Sequence, residues 1–418
     1  MSLGTNALRL AYQVVIHLYA CAEKCAALFS GSAAARVQMQ RKAYPPLTGR
    51  PVWVHCASLG EFEQARPLLT KLREEIPATP IVLSFYSPSG FLSERPKGFA
   101  DVIVALPSDT RGAMRAFLRH FNPASGVLIK SETWLNMMEL CHEQRIPMFL
   151  CCAYSPGIPF WLRKFGGPWR RALEQFEAIG WQSEDCIPTG LTDALRSISF
   201  VSGDFRVSSS LQQTLAHVDL PDFRGEFPKL LVAGSVYPHD LPALRNLMNN
   251  LGADWKLLLF PHDVNPSTVS RMSDSWEGVG LVTYSRASKE ALKAAPALLM
   301  DVVGMLMYSY RGADLAYVGA KNNKKIHSVL EPAACGVPLL FGPSYSNSRE
   351  AKSFVAGKLA FSWREPDDFS EQNSDWIHFK RALPELSKQL KDWMKEADAI
   401  ALSGRDAVIC KILEKGRF

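Results

Sequence analysis

Glu61 lies in the stretch HCASLGEFEQARP, residues 55–67, after a short apolar run, Val52-Trp53-Val54. The apolar positions Phe62, Ala65, Leu69 and Leu72 share one helical face. The carboxylate is therefore expected on a strand-to-helix turn, at or just before the helix N-terminus, with Ser58 and Gly60 beside it. Pro67 sits too deep for a comfortable first turn, so an irregular helix start is expected. The positive end of a helix dipole stabilises a carboxylate and keeps it ionised. An ionised carboxylate in a cleft can be a general base. A Glu in a first turn also favours the helix by itself, and spacing alone leaves both readings open.

A second stretch, GAKNNKKIHSVLEPAACGVPLLFGP at 319–343, carries different chemistry. A strand is expected to end at Gly319, followed by a loop with Lys321, Lys324 and Lys325, then a short helix that stops at Gly336. A helix N-terminus beside basic residues binds phosphate. A Glu in that first turn, Glu331, can accept hydrogen bonds from ribose hydroxyls. The pattern resembles the donor-nucleotide site of glycosyltransferases with the two-domain GT-B architecture. The lysines could equally belong to a solvated loop, and Glu331 before Pro332 could simply cap its helix. Three further strand-end loops fall on the same side: Gly234 and Ser235 in AGSVYPHD, Pro261 and His262 in FPHD, and Gly304 in DVVGML. His262 and His327 each have a structural reading, and their joint placement favours a binding one.

Other chemistries lack their residues. There is no Asp-x-Asp triplet to clamp a metal-diphosphate, no His-Glu-x-x-His and no Gly-x-Ser-x-Gly. Phosphate would then be held by helix ends and cationic side chains, with no metal and no cofactor. The nine cysteines form no Cys-x-x-Cys pair and are odd in number, which points to free, mostly buried thiols of a reducing compartment.

Positioning these residues requires more than one core, because 418 residues exceed what one ordinary domain holds. Short apolar runs recur at 52–56, 81–85, 102–106, 126–130, 148–152 and 178–182, with a weaker one at 197–203, separated by amphipathic stretches. The pattern restarts at 229–235 and continues at 256–262, 297–301, 315–319 and 338–342. Alternating helices and continuously apolar strands mean parallel sheets covered on both faces. The fold class expected is α/β: two doubly wound, Rossmann-like domains facing a cleft, preceded by a membrane-associated helix. In such sheets ligands sit at the carboxyl ends of the strands. The expected division is an apolar helix with a basic flank at 1–42, an acceptor-binding domain at 43–208, a donor-binding domain at 209–381 and a helical segment at 382–418 that packs across the junction. Residues 207–228, rich in Ser, Asp and Pro, read as a linker.

Net charge is +6, a mild excess that suits anionic substrates or an anionic membrane surface. No RNP, zinc-finger or helix-turn-helix pattern occurs, so no nucleic-acid partner is expected. Residues 8–29, LRLAYQVVIHLYACAEKCAALF, are apolar but interrupted by Arg9, His17, Glu23 and Lys24. Three readings stay open: a helix lying in the membrane surface, a true span, or an ordinary packed helix. Arg36, Arg41 and Lys42 follow, and for a span they would keep the rest of the chain cytoplasmic.

Taken in order, eight motifs resemble the 3-deoxy-D-manno-octulosonic acid (Kdo) transferases, which attach Kdo to the lipid A precursor: HCASLGEFEQARP, SPSG at 87–90, IKSETWLN at 129–136, GDFRV at 203–207, AGSVYP at 233–238, FPH at 260–262, DVVGML at 301–306 and HSVLEPAACGVPLLFGP at 327–343. The resemblance implies a CMP-Kdo donor, a lipid A precursor acceptor and a place on the cytoplasmic side of the cell inner membrane. It implies Glu61 as the base that activates a glucosamine hydroxyl, with inversion at the anomeric carbon, and Lys130 and Arg206 as groups that stabilise the transition state. It implies CMP-binding turns at Pro261 and His262, at Val303, Gly304 and Met305, and at Ser328, Val329, Leu330 and Glu331, with Glu331 on the ribose. The chain departs from the family where many members have a carboxylate at the position of Lys130, and Glu132 can substitute. It also departs at the FPH turn, Met305 and Ser328. Two rival readings are a GT-B enzyme or epimerase using another nucleotide sugar, and a catalytically impaired membrane-associated homologue.

Overall fold

The computed structural model of the chain describes residues 3–155, 159–163, 166–276, 280–321 and 325–416. They form two compact units, Met1–Ser209 with Ala397–Phe418, and Ser210–Glu396. The second division falls inside one long helix, Leu383–Lys415.

The first unit holds seven strands: β1 (Val52–Cys56), β2 (Ile81–Phe85), β3 (Val102–Ala105), β4 (Ser125–Ile129), β5 (Met148–Ala153), β6 (Ala178–Trp181) and β7 (Ser199–Val201). They pair in parallel in the order 3-2-1-4-5-6-7. Every residue of β1, β2, β4, β5 and β6 is buried, as a sheet covered on both faces demands. The chain winds outward from β1 in one direction and resumes from β4 in the other. A crevice therefore opens at the carboxyl ends of β1 and β4, the topological switch point. Helices α1 (Leu3–Ala26), α2 (Gly31–Gln40) and α3 (Leu59–Glu75) belong to this unit. Helix α3 is regular from Leu59 and carries Pro67 in its interior with the ring buried, so the irregular start read from Pro67 is not what forms. The segment read as a linker begins instead with a helix, Phe205–Leu215. Its serines are not solvated: Ser208, Ser209 and Ser210 are buried with Phe205 and Val207.

The second unit holds β8 (Lys229–Val236), β9 (Trp255–Pro261), β10 (Leu281–Thr283), β11 (Ala297–Leu299), β12 (Leu315–Val318), a hairpin of β13 (Ala320–Lys321) and β14 (Lys325–Ile326), then β15 (Leu339–Phe341) and β16 (Ala360–Ser362). The main sheet is parallel in the order 10-11-9-8-12-15-16, with its own switch point between β8 and β12. The lysine-bearing loop is thus the antiparallel hairpin; Lys324 lies outside the described residues.

The C-terminal helix closes against the first sheet through buried Ala401, Val408, Ile409 and Ile412. Backbones meet there with no room for a side chain. A Cβ on Gly404 would lie 2.2 Å from the Ser202 carbonyl oxygen, and one on Gly203, already at φ +74°, would lie 2.7 Å from Ala401 Cα. Gly404→Ala should therefore cost about 1–3 kcal/mol of overpacking and lower the midpoint of thermal unfolding. Gly112→Ala, where an added Cβ meets nothing within 4 Å, should leave it unchanged or raise it. Equal midpoints for the two variants would contradict this close packing.

Candidate functional site

Two carboxylates occupy the switch point of the first sheet. Glu61 is the third residue of α3, whose N-cap is Ser58. Its Oε2 accepts a hydrogen bond from the Ala57 backbone N–H at 2.6 Å. This satisfies the backbone donor just ahead of the N-cap and fixes the side chain back over the end of β1. Ser58 makes no side-chain cap bond of its own, and Gly60 is exposed beside it. Glu132 comes from the loop after β4. It accepts from Trp134 Nε1 at 2.7 Å and lies 3.8 Å from His55 Nε2, an ion-pair distance longer than a hydrogen bond. Trp134 is held by stacking on Tyr86, with centroids 5.4 Å apart.

The two acids are tuned in opposite directions. Burial, then the charge of Glu132, push the Glu61 carboxyl up to about 6, against the Ala57 N–H, His55 and Lys130, which pull it down. Burial also acts to raise Glu132, but His55, the Trp134 N–H and Lys130 outweigh it and leave Glu132 below the usual carboxylate range. The dipole argument alone, with Glu61 simply held ionised, misses these opposing effects. One acid stays charged, and its neighbour titrates near neutrality, where a proton acceptor works best.

Lys130 stands at the head of the β4 loop at φ +68°, a left-handed conformation that costs a side-chain-bearing residue about 1–3 kcal/mol. Its backbone N–H donates to the Cys151 carbonyl at 2.8 Å, which holds the turn. Its charge is felt at both Glu61 and Glu132.

Arg206 is the second residue of the helix that follows β7. Its Nε lies 2.9 Å from Asp204 Oδ2 and 3.1 Å from Oδ1, and its Nη2 also donates to Oδ2. Burial tends to raise Asp204, but the Arg206 charge and hydrogen bonds hold it below its ordinary value. Asp204 Oδ1 also accepts from Gln64 Nε2 at 2.8 Å. Gln64 sits one helical turn after Glu61 on α3, so one helix carries the carboxylate and helps hold the ion pair that orients the guanidinium. Arg206 keeps about a third of its side chain exposed.

In the second unit the expected donor residues lie at or after the ends of β8, β9, β11 and the β13–β14 hairpin. Gly234 is in the last turn of β8 and Ser235 follows at φ +54°. The Gly319 N–H donates to the Gly234 carbonyl at 2.9 Å. A Cβ on Gly319 would lie 2.2 Å from the Ser235 carbonyl oxygen, and one on Gly234 would lie 2.2 Å from the Tyr310 hydroxyl. Gly319 has no room for a side chain because backbones cross closely there, and Gly234 because the Tyr310 and Leu306 side chains fill the space. Pro261 ends β9. His262 and His327 stack at 4.6 Å between centroids, and Tyr237 meets them at 4.8 and 5.8 Å. The Tyr237 hydroxyl lies 3.0 Å from His327 Nε2. Val303 is exposed, Gly304 turns at φ +90°, and Met305 caps a single helical turn, Leu306–Ser309. Ser328 and Val329 lead into another short helix, Leu330–Ala334, with Glu331 in its first turn. Burial, then the Glu331 charge, push the Tyr310 phenol up. These helices are too short for a full macrodipole, so free N–H groups and side chains must carry any anion bound here. Lys325 is exposed on the hairpin.

The structure brings Glu61, Glu132 and Lys130 together in the first unit, and His262 and His327 together in the second. His55, Trp134, Asp204, Gln64 and Tyr237 were not singled out by the sequence. His55 is fully buried in an apolar strand and reads as a core histidine; only its place two residues before the loop that ends in Glu61 hints otherwise. No group of three or more His, Cys, Asp or Glu side chains suited to a metal occurs among the described residues.

A carboxyl-carbon NMR titration of Glu61 should give a midpoint near 6. Glu132→Gln removes a neighbouring negative charge and should move it down, whereas Lys130→Met removes a positive one and should move it up. A midpoint indifferent to both substitutions would break the electrostatic coupling of this cluster.

Residues 32–187 match the family model described as 3-Deoxy-D-manno-octulosonic-acid transferase (kdotransferase). The chain is 29% identical over 330 residues to the 3-deoxy-D-manno-octulosonic acid transferase of Chlamydophila psittaci, covering 72% of each chain. It is 26% identical over 355 residues to that of Bordetella pertussis, covering 78% of each. Among solved structures, it resembles the UDP-GlcNAc 2-epimerase of Neisseria meningitidis bound to UDP-GlcNAc (TM-score 0.53, 11% identity, 87% of this chain and 100% of that one). It also resembles MurG of Acinetobacter baumannii (TM-score 0.52, 11% identity, 84% and 99%). These likenesses show the fold, two parallel α/β units of the GT-B type. Read with the family model and the two relatives, they mark the chain as a glycosyltransferase similar in sequence to the Kdo transferases.

Proposed function

We propose that the protein moves Kdo from CMP-Kdo to a glucosamine hydroxyl of a lipid A precursor, with inversion and without a metal. The observation that carries this reading is the split carboxylate pair: Glu61 raised to about 6 beside Glu132 held low. In the reaction, the acceptor oxygen forms a bond to the anomeric carbon of Kdo as its proton passes to Glu61. The bond from that carbon to the phosphate breaks, and CMP leaves from the opposite face with the electron pair. Arg206, oriented by Asp204, and Lys130 offer positive charge to the Kdo carboxylate or the departing phosphate, interactions that strengthen as the bond breaks. Pro261 and His262, Val303 to Met305, and Ser328 to Glu331 are the proposed contacts of CMP, with Glu331 on the ribose. Metal independence rests on the missing Asp-x-Asp of the sequence and on a donor region built from glycine turns and histidines.

We also propose that the protein works on the cytoplasmic face of the inner membrane, held by α1. Its polar residues face inward: Arg9 pairs with Glu139 at 2.7 Å, Tyr12 donates to Asp109 at 2.6 Å, and Gln13 meets Asn136. Ile16 is buried with them, whereas Leu10, Val14 and Leu18 face outward, each more than half exposed. No single helix among the described residues is long and apolar enough to cross a membrane, though α1 and α2, bent by 117°, pass that test as a pair. The arrangement favours a helix lying in the surface.

Mass spectrometry of a lipid A precursor incubated with the protein and CMP-Kdo tests the activity. Glu61→Gln should cut turnover about 10²–10⁴-fold while CMP binding stays intact, and wild-type turnover should survive EDTA. Wild-type-like turnover in Glu61→Gln removes that residue from the mechanism, and a chelator-sensitive, metal-restored activity removes the metal-free reading. Preference for UDP over CMP would favour another nucleotide sugar.

Replacing Leu10, Val14 and Leu18 together with Ser should shift the protein from vesicles to the soluble fraction in a flotation assay, with no change in thermal midpoint. Unchanged flotation would mean that other surfaces do the anchoring.

A further inference from the structure

Beside the carboxylate pair, the first unit contains an apolar groove that the proposed chemistry does not use. Leu8, Ala11, Tyr12 and Val15 of α1 form one wall, and Phe160 and Trp169 form the other, around about 440 Å³. The aromatic wall is fixed by edge-to-face contacts. Trp169 meets Tyr12 and Phe160 at centroid distances of 5.1 Å each, near perpendicular. The groove does not end there. Tyr12, Phe160 and Trp169 also line a smaller pocket of about 290 Å³, whose remaining walls are Ser131, Glu132, Thr133 and Trp134. One side of the same three rings is therefore carbon-lined, and the other reaches the loop that carries Glu132.

We infer that this groove holds an acyl chain of the acceptor, so that the chain is seated along α1 while the sugar reaches toward the carboxylates. The proposal rests on the Kdo-transfer reading and adds an acyl subsite to it. Three observations select this occupant. The groove is bounded by apolar side chains, which suit methylene groups. Val15, on its wall, is 60% exposed, and the exposed Leu10, Val14 and Leu18 share its helix, so the groove borders the surface proposed to meet lipid. Its inner end is shared with a pocket bordered by the polar residues Ser131, Glu132 and Thr133. An amphiphile with an apolar tail and a sugar head matches that order. Each methylene fully buried from water is worth about fourfold in affinity, so a few are enough to discriminate among acceptors.

The test uses the full chain on vesicles of phosphatidylethanolamine and phosphatidylglycerol. It compares kcat/KM for an acylated glucosamine disaccharide phosphate with kcat/KM for its deacylated form. Wild type should prefer the acylated acceptor, and Ala11→Trp, which fills the groove, should lower that preference about 10- to 100-fold, mainly through KM. Ala194→Trp, an equally bulky change on an exposed helix elsewhere, should preserve it. An unchanged preference in Ala11→Trp overturns the proposal. So does a lost preference accompanied by lost vesicle flotation, because the groove would then serve membrane docking. Wild type that transfers to both acceptors equally refutes the acyl subsite and leaves Kdo transfer standing. Wild type that transfers to neither refutes both.

Discussion

The hydrogen bond from the Ala57 N–H to the Glu61 carboxylate ties the chemistry of the first unit to its architecture. A parallel sheet must hand each strand to a helix, and the backbone N–H groups of the connecting turn need acceptors. At the end of β1 the acceptor is Glu61, at 2.6 Å. The residue that completes the turn is therefore also the one aimed into the switch point. Burial and Glu132 raise it, and the N–H restrains the rise. An apolar residue there would leave a backbone donor without its partner. Aspartate, one methylene shorter, would have to reach the same N–H at the expense of the position of its charge.

Arg206 obeys a comparable rule. Its guanidinium is held by Asp204, Asp204 by Gln64, and the loop that bears Asp204 by the C-terminal helix. That helix can approach only because Gly203 and Gly404 lack side chains. Ser208, one turn along, hydrogen-bonds Asp398 of the same helix. A pair formed by Arg206 and Asp204 alone, on a mobile loop, would lose side-chain entropy and be screened by solvent. With Asp204 buried and bonded by Gln64 as well, the guanidinium is preorganised, and little reorganisation remains for a transition state to impose.

Most of the fold was legible because strands covered on both faces must be continuously apolar, and these are. What escaped was whatever did not depend on that rule. The strands β10 and β16 are three-residue edges, half-buried, with no run to find. The helix at 205–215 looks like a linker because its packing uses serines, whose small side chains fit where larger ones would not. At the site, Glu61 and the glycine and histidine turns could be singled out from motif and spacing, and Arg206 only from the family resemblance. The electrostatics could not, since the charge of Glu132 and the burial of both acids depend on β1 and β4 being neighbours, a fact of topology. The left-handed turn at Lys130 is invisible for the same reason: a lysine carries no sign of positive φ.

The N-terminal helix shows why an apolar tally is a poor guide to a helix's environment. Counted as residues, α1 is an interrupted apolar segment with three possible fates. Viewed in place, two of its interruptions, Arg9 and Glu23, pair with Glu139 and Arg36, while His17 and Lys24 are exposed. Asp109 accepts from Tyr12 and from the backbone N–H groups of Asn136 and Met137, so one buried carboxylate both starts the helix Leu135–Glu143 and receives α1. Burial, the largest effect, raises that carboxyl to about 7 despite its three donors. Polar contacts of this kind fix orientation, because a mispaired Asp109 would be a buried group without partners. The hydrophobic effect would fix α1 in the opposite sense, with Leu10, Val14 and Leu18 turned inward. Arg9, Tyr12 and Gln13 orient the helix together with buried Ile16, and leave Leu10, Val14 and Leu18 as the exposed apolar face on which the proposed membrane contact rests.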